Sequence, residues 1–285
     1  MAVFPGTLGH VLTNWAHAHV KAFSISMMFL AAPIVSTIAA FVFLGDYIYE
    51  YASGGYADPR GRETGQDFEC RTVDEYRARY ALYRSDPLLQ ATHASAPWIV
   101  TWDDHEVDNN YAGAISENDD DPAEFLERRA NAYQAWYEHM PVRLDPPDGP
   151  DYEIYRSFAH GDLVAFHVLD TRQYRADQQR SEPFVAPLGD DVQVRDEALA
   201  NDPAQTMLGE AQRNWLIDGV AASNAVWDVL AQQVFMFGGN AVAGSVPPVV
   251  VVDTWDGYAG ARRVMLEGAV AAGVRNLIVL SGDFT

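Results

Sequence analysis

A layered α/β fold is what the sequence predicts, on two observations. Short apolar runs of strand length alternate along the chain with segments whose apolar residues recur at helical spacing. Three of those runs, FVFLGD, WIVTWDD and LIVLSGD, end in acidic residues: Asp46, then Asp103 with Asp104, then Asp283. A length of 285 residues suits one large α/β domain or two smaller ones. With 48% hydrophobic and 21% charged residues, the chain can bury a sizeable core and is not globally disordered.

Taken in order, the elements begin with a charge-free run from Ala22 to Gly45. It is long enough to span a bilayer, with Lys21 as a positive flank, so a membrane anchor is one reading. Pro33, the Ser and Thr residues and the direct lead into GDYIYE favour the other reading, a buried strand with a polar carboxyl end. No twin-arginine pair precedes the run. Glu75–Thr92 has Tyr76, Tyr80, Leu82 and Tyr83 at helical spacing, and Pro87 breaks or restarts the helix. Pro97–Thr101 is a strand. Pro122–Met140 is a helix with Asp121 as N-cap and Pro141 as its stop, led in by the solvated acidic stretch Glu117–Asp121. Leu144–Tyr152 is turn-rich. Leu163–Leu169 is a strand, Leu188–Pro203 an insertion loop, Leu208–Ser223 a helix and Val226–Val234 a strand. The glycine-rich stretch Gly238–Pro248 is expected to be mobile. Gly260–Gly273 is a helix, and Asn276–Leu280 is the last strand.

The charge balance narrows the function. Asp and Glu number 40 against 19 Lys and Arg, a net charge of −21 that opposes binding to a phosphate backbone, so no nucleic-acid surface is expected. The single cysteine, Cys70, excludes an internal disulfide and a multi-cysteine metal site. In open α/β sheets ligands bind beyond the carboxyl ends of strands. Three strands ending in acids would bring four carboxylates to one rim, where cations must offset their repulsion. A single Asp after a strand is more often a cap or turn residue; three recurrences point to metal. His105, Glu106, Asp108, Asn109 and Asn110 add oxygen and nitrogen donors, a set that suits hard cations rather than a thiolate site. Such a cation would neutralise charge on a phosphoryl group and acidify a water, with His105 as general acid or phosphoryl donor, or only as a hydrogen-bond partner. Arg172 in LDTRQYR could touch phosphate or pair with a buried carboxylate.

The blocks GDYIYEY, WDDHEVDNNYAG, YRSFAHGDLVAFHVLDTRQYR, LGEAQRNWL, AVWDVLAQQV and DTWDGY, in this order and spacing from about residue 41 to 284, resemble the PhoD-like alkaline phosphatases. That resemblance implies a metallophosphoesterase-like α/β/β/α sandwich that hydrolyses phosphomonoesters and phosphodiesters. It implies one ferric iron (Fe3+) with calcium ions (Ca2+), and export from bacteria. By residue, it implies that Asp46 bridges metals, that Tyr49 binds iron through its phenolate, and that Asp104 is a metal ligand, beside Asp103 from the strand-end reading. It also places His105 at the phosphate, has Asn109 or Asn110 reach calcium, and makes Asp283 a ligand. The sequence departs from the family in three ways. No Ser-Cys-Gln block precedes GDYIYE, Cys70 follows it as a bystander, and Thr285 stands where the family has His. The expectation is therefore an atypical apolar segment over 1–40 and a phosphatase domain over 41–285 that is incomplete at both ends. Iron is the weaker cofactor, and a catalytically impaired remnant is the alternative to an active enzyme. Neither a protein partner nor a particular phosphate ester substrate can be named from the sequence.

Overall fold

The computed structural model describes residues 28–29, 41–55, 65–180 and 191–283. The chain divides into two compact units, Met1–Asp108 with Leu126–Tyr152, and Asn109–Phe125 with Glu153–Thr285. The structure is mixed α/β, as the alternating pattern predicts. Of the apolar run Ala22–Leu44, all but 28–29 and 41–44 lies outside the described residues. Among the described residues no helix is long and apolar enough to cross a membrane.

In the first unit, β1 (Met28–Phe29) pairs antiparallel with β2 (Phe41–Phe43), and β2 pairs in parallel with β3 (Trp98–Val100). The register Phe41↔Trp98, Val42↔Ile99, Phe43↔Val100 is extended by Thr101 N–H donating to the Phe43 carbonyl at 3.0 Å. The two parallel strands therefore end side by side, and the residues after each are delivered to the same edge. Helix α1 (Val73–Arg84) starts at a capping box: Thr72 accepts from the Glu75 N–H, and the Glu75 carboxylate accepts from the Thr72 N–H at 2.8 Å. Pro87 ends nothing by itself. It is the first residue of α2 (Pro87–Ser95), whose N-cap Asp86 accepts from Leu88 and Leu89. Helix α3 (Pro122–His139) is capped by Asp121, as expected from the sequence. From Leu126 onward it belongs to this unit, and there Tyr133 stacks on Trp102 at 4.0 Å with Trp136 edge-on at 5.0 Å. That aromatic packing fixes the segment between β3 and the acidic pair Asp103–Asp104.

The second unit holds a four-stranded sheet of order β4 (Arg156–His160), β5 (Val164–Val168), β7 (Trp227–Ala231) and β9 (Leu277–Leu280). The β4–β5 pair is antiparallel, and the β5–β7 and β7–β9 pairs are parallel. Strand β5 is buried along its whole length, as a continuous apolar run in the middle of a sheet requires. Helices α5 (Gly209–Ala222) and α6 (Ala259–Ala271) contribute Leu216, Val220 and Met265 to one core with Leu230 and Val279 of the strands. A Cβ at Gly268 would meet the Ile217 side chain, so the glycine lets α6 lie close against α5.

Two parts of the sequence reading need correction. The segment 188–203 is not an insertion loop throughout. Among its described residues, β6 (Val192–Val194) pairs antiparallel with β8 (Val249–Val251), and a short helix α4 (Glu197–Ala200) follows behind an Asp196 N-cap. Three residues are too few for an alternation signal, and the buried Gln193, held by the Gln179 amide at 3.1 Å, makes a core position look polar. Strand β4 was also hidden: it is a sheet edge, largely exposed, so RSFAH shows no apolar period. In Gly238–Pro248 the Asn240 side chain accepts from Val242, Val249 and Ser245, organising the turns.

His93 generates a stability prediction for the first unit. Its ring lies on Trp98 at 4.0 Å and bonds the Tyr47 hydroxyl at 2.8 Å. Burial, assisted by Arg84, lowers its pKa from 6.5 to about 4. The folded state thus holds a neutral ring where the unfolded chain takes up a proton. Stability from this source is full above pH 6.5 and is lost as pH falls towards 4. Urea midpoints should decline between pH 7 and pH 4.5 less steeply in His93→Gln than in the wild type.

Candidate metal centre

The first unit's parallel strands each run into an acidic turn. Beyond β2 the chain turns at Gly45 (φ 106°) and Asp46 (φ 57°), both in the left-handed region. A Cβ on Gly45 would collide with the Cβ and backbone of Asp103, so only glycine allows the two turns to touch. Asp46, a non-glycine residue at positive φ, is held in a strained conformation of the kind that gathers at functional sites.

One carboxylate clamps the two turns together. Glu106 accepts from the N–H of Asp103 at 2.6 Å, from Asp46 at 3.1 Å, and from Tyr47. Burial pushes the Glu106 carboxyl up to about 7, against the pull of those three N–H groups. The result is a cluster in which carboxylate oxygens of Asp46, Asp103 and Asp104 all lie within 4.8 Å of one another. The three residues are 5%, 1% and 2% exposed. The Tyr49 hydroxyl donates to Asp46 at 3.3 Å, and the Tyr49 ring packs against His105 at 4.2 Å, tilted by 38°. His105 Nδ1 meets the Glu50 carboxylate at 2.8 Å. Burial disfavours an imidazolium there, but Glu50, Asp104 and Asp46 outweigh it and raise the His105 pKa well above its ordinary value.

An all-oxygen set of three carboxylates beside a phenol is the donor chemistry of a hard cation, and these residues fit one. Like charges this close and this buried repel strongly unless a positive charge sits among them. Cys70 is not in the cluster. It is fully buried, its thiol points at the Glu75 carbonyl at 3.7 Å, and burial raises its pKa to about 12, so it offers no thiolate near neutrality.

Asp108, in the first unit, takes Arg128 at 2.7 Å; the remaining residues singled out from the sequence lie in the second unit. Asn109 donates to Glu117 at 2.7 Å, and Asn110 (φ 52°) donates to Asp191 at 2.7 Å. The acidic stretch is therefore not merely solvated: Arg180 bonds the Ser116 carbonyl and Asp119. Arg172 is fully buried, bonds Asp253 at 2.8 Å and faces Asp283 at 3.7 Å. Of the two readings of Arg172, the ion-pair partner is the one whose contacts are in place. Asp253 also takes Arg175, and although burial would raise its carboxyl, the two guanidiniums hold it down at about 2. Asp170 accepts from the N–H groups of Arg172 and Gln173, setting the turn that aims Arg172. Gln233 accepts from the Thr171 N–H and donates to the Leu169 carbonyl, satisfying buried backbone groups.

Sequence reasoning missed Glu50 and Asp253 as site residues and took Glu106 only as a donor. Each sits inside a block quoted above, but their roles as counter-charge or clamp depend on partners up to 81 residues away.

The PhoD-like phosphatase family matches residues 13–284. The chain belongs to this family. It is similar to alkaline phosphatase D of Bacillus subtilis (strain 168), at 45% identity over 242 residues, which is 84% of this chain and 40% of that protein. Among solved structures it is similar to one described as the structure of PhoD, at 41% identity and a TM-score of 0.77. That match covers 86% of this chain and 46% of the other. The chain thus spans less than half the length of these PhoD relatives. The mixed α/β architecture expected from the resemblance is the one observed.

Two outcomes check this geometry. Gly45→Ala should push the Asp46 and Asp103 turns apart, costing about 2–4 kcal/mol of stability in urea titrations and weakening calcium uptake measured by calorimetry. Cys70 should stay unmodified by a thiol-disulfide reagent at pH 8 in the native protein and react fully in guanidinium.

Proposed function

We propose that the protein is a metal-dependent hydrolase of phosphomonoesters or phosphodiesters. The observation that carries this is the buried Asp46–Asp103–Asp104 cluster at the carboxyl ends of two parallel strands. Membership of the PhoD-like phosphatases and the name of the Bacillus subtilis relative supply the reaction class.

Asp46, Asp103 and Asp104 would hold the cation. Bound there, it supplies charge neutralisation at the phosphoryl oxygens and an acidified water. Tyr49, whose hydroxyl already lies against Asp46, is the donor that would favour ferric iron, because only a trivalent charge readily draws out a phenolic proton. The all-oxygen set suits calcium without further help. With Cys70 withdrawn from the cluster, calcium is the primary cofactor and iron the secondary one.

His105 acts on the leaving group. Glu50 holds its Nδ1, which directs the ring and keeps it protonated, and Nε2 carries the proton to be given to the departing oxygen. Glu50 is then a positioning residue for His105. The roles of Asn109, Asn110 and Asp283 as ligands rest on the family's motif alone, and that of Arg172 at the phosphate on its place in LDTRQYR. The family's export from the cell supports the same location for this protein.

The test uses the purified chain loaded with calcium, with and without ferric iron, and an aryl phosphate and its diester as substrates. Turnover should vanish on chelation and fall by about 100-fold or more in Asp46→Asn. Undiminished turnover in that variant would overturn the proposal. Saturable cation binding without turnover in the wild type would favour the impaired remnant.

A further inference from the structure

Outside the acidic cluster, the four-stranded sheet of the second unit carries a serine, a histidine and an aspartate on one face. Ser157 of β4 stands directly opposite His167 of β5 in the antiparallel register. Asp228 of β7 pairs with Ala165, two residues before His167 on the same strand. Residues two apart on a strand share a face, and cross-strand partners lie side by side, so the register alone makes the three neighbours. The side chains meet in a line. Ser157 Oγ lies 3.1 Å from His167 Nδ1, and His167 Nε2 lies 3.1 Å from Asp228 Oδ1.

Donor and acceptor chemistry gives that line a direction. A carboxylate only accepts, so Nε2–H donates to Asp228. In the neutral ring Nδ1 is then the acceptor, and the Ser157 hydroxyl donates to it. His167 and Asp228 are each 2% exposed, which keeps water from competing for the ring. Gly219 of α5 makes room for the imidazole, since a Cβ there would lie 3.3 Å from His167 Cε1. Ser157, by contrast, is exposed on the edge strand. The half-buried Trp215 ring stands edge-on to His167 at 6.3 Å, with Tyr155 at 4.9 Å from Trp215. Two other exposed serines are bound differently. Ser85 and Ser95 donate to the Leu82 and Thr92 carbonyls at 2.6 and 2.7 Å, groups that cannot take up a proton near neutrality.

We infer that Ser157 is a nucleophile activated by His167, with Asp228 as positioning residue, and that it accepts an acyl group from small esters with a good leaving group. Ser157 Oγ attacks the ester carbonyl carbon, and its proton passes to His167 Nδ1. The bond from that carbon to the leaving oxygen breaks, the oxygen keeps the electron pair, and His167 returns the proton to it. The products are an acyl-serine and a free alcohol or phenol. Asp228 holds the ring in the tautomer that can accept the proton and faces the positive charge that then forms. No metal takes part, so the site goes beyond the hydrolase reading and stands whether or not that reading does.

4-Nitrophenyl acetate is the probe, applied to the full chain with a chelator present so that the acidic cluster contributes nothing. Peptide mass spectrometry over time should find Ser157 acetylated at least about 100-fold faster than Ser85 and Ser95 in the same molecules, the low end of what a positioned base contributes. His167→Gln should bring Ser157 down to the rate of those two serines. Asp228→Asn should slow acetylation, and nitrogen NMR should show that the His167 proton, on Nε2 in the wild type, is no longer confined there. Circular dichroism checks that each variant is folded, and the comparison among the three serines needs no variant at all. Equal acetylation of the three serines in the wild type, or undiminished acetylation of Ser157 in folded His167→Gln, would overturn the proposal.

Discussion

Three buried carboxylates with oxygens within 4.8 Å of one another are an unstable arrangement, and much of the first unit's local structure exists to maintain it. The force opposing it is electrostatic: at low exposure, water cannot screen the repulsion among Asp46, Asp103 and Asp104. What resists that force is backbone geometry. The parallel register of β2 and β3 sets two strand ends side by side. Gly45 removes the one atom that would keep the turns apart, and Glu106 binds three N–H groups drawn from both turns. The strained φ of Asp46 is the visible remainder of that constraint.

Around this cluster the charges are arranged in layers. Glu50 holds His105 as a cation next to the acids, so part of the negative charge is answered by the protein itself. Arg128 likewise bonds Asp108 at 2.7 Å just beyond the cluster, with the Tyr76 hydroxyl beside it. The second unit solves a related problem with the opposite sign. There Arg172 and Arg175 are both fully buried, and a single carboxylate, Asp253, is shared between them. In each unit a buried charge is tolerated because hydrogen bonds and a counter-charge come with it.

Cys70 shows how burial separates chemistry from bystanders. Cys70 is in a polar stretch of sequence, yet it is enclosed and its thiol is held neutral.

Much of this was legible in the sequence, and for a physical reason: local rules govern it. The helical spacing after Glu75 with its break at Pro87, the helix start at Asp121, the apolar runs of β2, β3, β5, β7 and β9, and the acids after β2 and β3 all depend on residues a few positions apart. The edge strand β4, the three-residue β6–β8 pair, the Glu106 clamp, the Glu50–His105 pair and the Asp253 bridge were decided by the tertiary structure alone. Strand β4 lies close to β5 in sequence but is an exposed edge with no apolar period; each of the others joins residues many positions apart, and no periodicity records which distant backbone N–H or guanidinium a given carboxylate will meet.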